Sequence, residues 1–200
     1  RISQRGIAAR DAPPGHRSFG LACSHWVQYC QQPRACKCGA REMACGVDGR
    51  SGIGYQIAKD FLQLGATVII ASRKEEPLKK AAEELASFGN VHYQACDIRK
   101  TEDIQQLTKM IKDKFERLDI LVNNAGGQFP ALTEYINDKG WNAVINNNLN
   151  GTFFMTREAG NAFFIPQKQG VIINIIADIL RGFPGMVHTG AARAGVENMT

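Results

Sequence analysis

The stretch GRSGIG, residues 49–54, stands directly ahead of an apolar pattern of helical period. Glycine lets a backbone approach a phosphate closely, and a helix N-terminus offers free N–H donors and the positive end of a dipole. Gly49, Arg50, Ser51, Gly52, Ile53 and Gly54 are therefore candidates for a phosphate cradle; a glycine-rich turn that merely joins two elements is the plainer reading. About 20 residues further on, a site for an unphosphorylated dinucleotide would want an acid for the ribose hydroxyls. This chain has Ser72, Arg73 and Lys74 there, straight after TVIIA, 67–71. The planar fork of Arg73 could pair with a 2′-phosphate, helped by Arg50, or the triplet is a solvated basic turn. Glycine loop and arginine together point to NADP.

Three further places hold polar groups where chemistry is possible. Asp97 closes an apolar segment and could accept from an adenine amino group, or could simply start the next helix. Asn123, Asn124, Ala125, Gly126 and Gly127 follow a buried run, and a simple turn rarely needs two asparagines and two glycines together; these could line a ribose or a nicotinamide. Asn148 lies in INNNLNGTFF. A buried asparagine needs partners, so it could hold a water or a backbone carbonyl near a site, or form a bond within its own helix.

The elements that must position these groups alternate. The chain reads helix (Ile53, Ile57, Phe61 and Leu64 as its face), strand TVIIA, helix 75–88 with Pro77 in the first turn, and strand 91–96. A helix capped by Thr101 follows, with the face Ile104, Leu107, Ile111 and Phe115, then strand 118–122, a helix near 138–162, strand 170–176, and a helix from 188. Strands alternating with helices predict an α/β fold with a parallel, doubly wound sheet. In such sheets ligands bind beyond the carboxyl ends of the strands, and every unusual loop named above falls at such an end.

Bulk properties narrow the classes. The chain has 200 residues and a formal net charge of +5. That charge is local: residues 1–45 hold seven basic and two acidic side chains, and the remainder 17 of each. The part with periodicity lacks the basic excess of a nucleic-acid binder. Five of the six cysteines also lie in the first 45 residues, without the paired spacing of a zinc site; no metal is expected. No apolar run reaches the roughly 20 residues of a membrane span, and the order of residues at the start argues against a secretory signal. Residues 1–45 read as an irregular or misassigned leader, and 46–200 as a partial dinucleotide-binding domain.

In this order, GxGIG, ASR, CDI, NNAG, NxxGTF and GxIxNI resemble the short-chain dehydrogenase/reductase family over roughly residues 46–200. Within it, LDILVNNAGGQF, GTFFMT and GFPGMVHTGAARAGVENMT are most similar to trans-2-enoyl-CoA reductases, peroxisomal and bacterial, with 2,4-dienoyl-CoA reductases as neighbours. The resemblance implies a Rossmann-like fold that is incomplete at the C-terminus, NADPH as cofactor, an acyl-CoA or other enoyl thioester as substrate, and a homo-oligomer in the full-length form. It also implies a cytoplasmic place in a bacterium or a peroxisomal one in a eukaryote. It carries Asp97 and Ile98, Asn124, Ala125 and Gly126 to the cofactor site and Asn148 to the catalytic asparagine.

Ala177 falls where the family has serine, Thr189 where it has tyrosine, and Arg193 where it has lysine. Arg193 would hold cofactor ribose hydroxyls and supply positive potential. An alkyl hydroxyl is a far weaker acid than a phenol, and a guanidinium cannot shuttle protons. Reduction of a double bond conjugated to a thioester asks for hydrogen-bond donors at the thioester oxygen more than for immediate protonation. Thr189, backbone N–H groups and His188 are candidate donors, and Tyr135 is an outside candidate for the acid. At the start of the domain the resemblance fails: Asp48 falls where a glycine belongs, a like-charge clash with a pyrophosphate.

Overall fold

The computed structural model describes the backbone of residues 3–4 and 43–47, and residues 52–200. Among the described residues, six parallel strands form one sheet: β1 (Ser3–Gln4), β2 (Met43–Val47), β3 (Thr67–Ser72), β4 (Val91–Ala95), β5 (Ile120–Asn123) and β6 (Val171–Asn174), in the spatial order β1-β6-β5-β2-β3-β4. The chain runs outward from β2 through β3 to β4. It then returns to the other side of β2 and runs outward again through β5 to β6. The reversal lies between β2 and β5, which pair from Ala44↔Ile120 to Val47↔Asn123. Such a switch point leaves a crevice beyond the carboxyl ends of the two strands.

β3 shows why this sheet forms. Its residues are β-branched or small, and Val68, Ile69, Ile70 and Ala71 are all buried. Successive side chains point to opposite faces. Ile69 and Ala71 join Leu121 and Ile172 on one face, and Val68 and Ile70 join Ile120 and Val122 on the other. Each isoleucine fully buried in this way contributes about 1.5–3 kcal/mol.

Helices cover both faces. On one lie α1 (Gly52–Gln63) and α2 (Glu75–Leu85), which bury Ala58, Leu62, Leu78, Ala81 and Leu85. On the other lies α3 (Thr101–Phe115), with Ile104, Leu107 and Ile111 inside. It is joined there by a long rod in five consecutive pieces. These are α4 (Asp138–Ile145), a π-helical turn Asn146–Asn150, α5 (Gly151–Ala159), a second π-helical turn Gly160–Phe164, and α6 (Ile165–Gln167). Met155, Ala159, Phe163 and Phe164 seat this rod on the sheet. The last helix, α7 (Val187–Met199), buries His188, Thr189, Ala192 and Val196.

Four local expectations need correction. The inward face of α1 is Gly54, Ala58 and Leu62, while Ile53 and Leu64 are exposed and Ile57 and Phe61 pack at the margin. Small residues let this helix lie close to the sheet, so the bulkiest side chains do not mark the buried stripe. Thr101 is the first residue of α3, and the cap position is Lys100, with no side-chain cap. The helix from residue 75 ends at Leu85. Finally, strand β2 begins at Met43, inside the segment read as leader; MACGV has too few β-branched residues to announce a strand. The remainder of that segment, its cysteine-rich stretch included, lies outside the described residues, as do Asp48, Gly49, Arg50 and Ser51. Among the described residues no helix is long and apolar enough to cross a membrane, and no cluster of three metal-ligating side chains forms.

Candidate functional site

Asn148 is the centre of the geometry at the switch point. It lies within the π-helical turn Asn146–Asn150 and is 1 % exposed. Such turns add a residue to a helical turn and recur at functional sites. The Asn148 amide is committed twice to one residue, Gly127, and so to the peptide units on either side of it. Its Oδ1 accepts from Gly127 N at 2.9 Å, and its Nδ2 donates to Gly127 O at 2.8 Å. The helix thereby fixes the loop that leaves β5.

Arg193, from the middle of α7, closes the same corner. Its Nη2 lies 3.4 Å from both Asn148 Oδ1 and Ala125 O. Both contacts are long for hydrogen bonds, so the guanidinium has donor capacity to spare. Burial pushes its pKa below the usual guanidinium value, yet an arginine remains a cation. A Cβ at Gly126 would displace the tip of Arg193 and stand 3.0 Å from Asn148 Oδ1, so glycine lets the guanidinium lie against this loop.

Thr189 sits one helical turn before Arg193 and is buried. Among the described residues, neither its Oγ1 nor His188 Nε2 has a hydrogen-bond partner. A buried polar atom left unpaired costs about 1–3 kcal/mol, so two of them side by side need a reason. His188 Nδ1 accepts from Thr189 N at 2.9 Å. The ring stands edge-on to Phe129, with centroids 4.5 Å apart and an interplanar angle of 89°. Phe129 belongs to the loop after Gly127, which is tied to the opposite loop by Ala131 N donating to Gly185 O at 2.7 Å. Tyr135 is 75 % exposed in a short turn, Thr133–Tyr135, so neither its acid role nor its packing role has support in this arrangement. Ala177 lies in the irregular segment after β6.

The other candidates line the same end of the sheet. Gly52 opens α1 with φ +65° and nothing within 4 Å of where a Cβ would stand; Gly54 is buried and Ile53 points outward. Ser72 is buried at the end of β3, and Arg73 follows it, exposed. Arg73 is near enough to Asp97 to help hold that carboxyl below its ordinary value, but the larger cause is Arg99. Arg99 donates to Asp97 Oδ1 at 2.8 Å through Nε and to Oδ2 at 2.5 Å through Nη2. Ile98 is buried and packs on Gly151, so its side chain serves the core. Asn124 and Ala125 continue from β5 into the loop.

Asn123, grouped with Asn124 on sequence, has a different role. It is buried and donates to Asn174 Oδ1 at 2.8 Å and Thr156 Oγ1 at 3.1 Å. Asn174 in turn donates to Thr200 Oγ1, which donates to Val196 O. This chain of side chains ties β5, β6, α5 and α7 together. Sequence reasoning missed it and missed the pairing of Phe129 with His188. An asparagine at the end of each neighbouring strand was the available signal.

Comparison with known proteins matches this architecture. A family model described as short chain dehydrogenase matches residues 43–200. The chain is 38 % identical over 154 residues to a probable 2,4-dienoyl-CoA reductase of Bacillus subtilis, covering 76 % of this chain and 61 % of that protein. It is 34 % identical over 152 residues to 3-oxoacyl-(acyl-carrier-protein) reductase FabG of Thermotoga maritima, covering 75 % and 61 %. An actinorhodin polyketide ketoreductase crystallised with NADPH superposes with a TM-score of 0.78 at 29 % identity, over 80 % of this chain and 62 % of that one. The chain thus spans about three fifths of the length of these relatives. With its parallel doubly wound sheet and a match over most of its length, the chain belongs to the short-chain dehydrogenase/reductase family, which binds nicotinamide cofactors.

Proposed function

We propose that the protein carrying this chain is an NADPH-dependent reductase of 2-enoyl thioesters, acting in acyl-thioester metabolism. The observation that carries the reading is the pair on α7: a buried hydroxyl, Thr189 Oγ1, without a partner among the described residues, and one turn later a permanent cation, Arg193. Neither group can deliver a proton as a phenol would. Both can stabilise negative charge.

The residues present fit a dinucleotide. Gly52 leaves open space at the start of α1, and Gly126 lets the Arg193 guanidinium press against the loop after β5. Gly52, Gly54, Asn124, Ala125, Gly126 and Arg193 would hold it, with Gly49, Arg50 and Ser51 ahead of the helix. No acid follows β3. Arg73 stands there instead, exposed and with its charge near Asp97, which suits a 2′-phosphate. When bound, the cofactor supplies hydride. Asn148 keeps the Gly127 peptide in place, Arg193 contributes positive potential, and Thr189 donates a hydrogen bond to the thioester oxygen as charge gathers there. Water supplies the proton for the α-carbon.

Similarity to FabG and to the ketoreductase supports a second reading, reduction of a ketone. The absorbance of NADPH separates the two. Under the first reading it falls with crotonyl-CoA and is unchanged with acetoacetyl-CoA. The reverse pattern establishes the second and defeats the first.

A further inference from the structure

His188 is wholly buried at the start of α7, and the proposed function above gives it no step. Its position is determined by two contacts. Nδ1 shares the Thr189 N–H with Met186 O, each at 2.9 Å, and Phe129 packs edge-on against the ring. With Nδ1 facing a donor, the neutral ring is assigned its proton on Nε2. That N–H is buried and has no acceptor among the described residues. The neighbouring Thr189 hydroxyl is in the same condition, and both stand in the first turn of a 13-residue helix, whose positive dipole end faces this corner. Two unsatisfied donors and a helix N-terminus form an arrangement that wants an oxygen bearing negative charge.

We propose that His188 Nε2–H is a hydrogen-bond donor to the thioester carbonyl of the substrate, beside Thr189, and that Phe129 covers it until substrate arrives. The proposal rests on the enoyl-thioester reading. As hydride adds to the β-carbon, the electron pair of the carbon–carbon double bond shifts toward the carbonyl and charge collects on its oxygen. His188 Nε2–H and Thr189 Oγ1–H stabilise that charge without giving up their protons. Protonation of the α-carbon by water then restores the carbonyl and leaves the saturated thioester. An imidazole donor explains how the site works without a phenol: the donor is built into the helix one residue before the hydroxyl. Phe129 is half-exposed on a loop that leaves the site, so the ring can move aside without disturbing the sheet.

His188→Leu and His188→Gln, made in the protein that carries this chain, test the idea with NADPH and crotonyl-CoA. Loss of one such donor lowers kcat about 100- to 1,000-fold. His188→Leu is expected to show that loss with the KM for NADPH unchanged. His188→Gln, whose amide can still donate, is expected to recover at least about tenfold of it. A second readout needs no turnover. Butyryl-CoA, the saturated product, is expected to shift the 15N resonance of His188 Nε2 in the unmodified protein and to leave Nδ1 in place. Unchanged kcat in His188→Leu overturns the proposal. So does an Nε2 resonance indifferent to butyryl-CoA, which would mean that the N–H meets only a trapped water. Failure of the underlying reading looks different: the unmodified protein itself would ignore crotonyl-CoA while reducing ketones.

Discussion

Asn148 commits its whole amide to the Gly127 peptide, and that fixes what its removal should do. Asn148→Ala removes both hydrogen bonds to Gly127, at about 0.5–1.5 kcal/mol each, since Gly127 is exposed and water can take the place of the amide. The expected outcome is a lower denaturant midpoint together with loss of NADPH turnover; a variant that keeps wild-type stability would disprove the clamp. At Arg193 the balance differs, because its contacts at 3.4 Å contribute little to folding. Arg193→Met should leave the melting temperature nearly unchanged and weaken NADPH binding about 10- to 100-fold, as calorimetry would measure, since hydrogen bonds to a charged group are worth about 1.5–3 kcal/mol. Cys96 is a third case. Burial, aided by Asp103 and Asp97, pushes its thiol up to about 12. The folded state therefore holds this proton through the range in which an unfolded thiol, with a pKa of 9.0, has lost it. Stability from this group is complete below pH 9 and declines as pH rises toward 12. Peptide-resolved iodoacetamide labelling should find Cys96 unmodified in native protein at pH 8 and modified once it is unfolded.

At the scale of elements, legibility followed burial. β3 and β5 were readable because both faces of each are covered, which produces the continuous apolar runs TVIIA and LDILV. β2 was obscure for the opposite reason, since MACGV relies on its neighbours rather than on its own propensity. α1 was assigned the wrong face because spacing rules weigh bulk, whereas close approach to a sheet selects glycine and alanine. Within the site, the order of motifs brought Asn148, Thr189, Arg193 and the loop 125–127 into view. No spacing rule links residues 51 apart, so the bond from Asn123 to Asn174 was invisible. Where α5 meets the loop after β4, a Cβ on Gly151 would stand 2.6 Å from Ile98 Cδ1. Gly151→Ala is expected to cost about 1–3 kcal/mol by overpacking. Ile98→Ala should relieve part of that, so urea titrations of the two single variants and the double variant should give a non-additive cycle.

At the scale of the whole molecule, the site is assembled from segments far apart in the chain that meet only because the sheet reverses direction beside β2. Cofactor binding should therefore stabilise the entire domain. At a free concentration 100 times its Kd, NADPH adds about 2.7 kcal/mol, visible as a rise in the melting temperature. NADH should give a smaller rise, and Arg73→Glu should reverse the order; equal shifts with both cofactors would refute the assignment of Arg73. The long rod from Asp138 to Gln167 imposes one more condition. Each of its two π-helical turns advances the phase of the helix by about one residue, roughly 100°. Deleting a single residue from Asn146–Asn150 would restore ordinary α-helical spacing across that turn, at the expense of rotating Met155 and Ala159 away from the sheet. The pocket-facing end and the core-facing end thus share an angular setting, and a chain of this kind can change length there only in steps that preserve both.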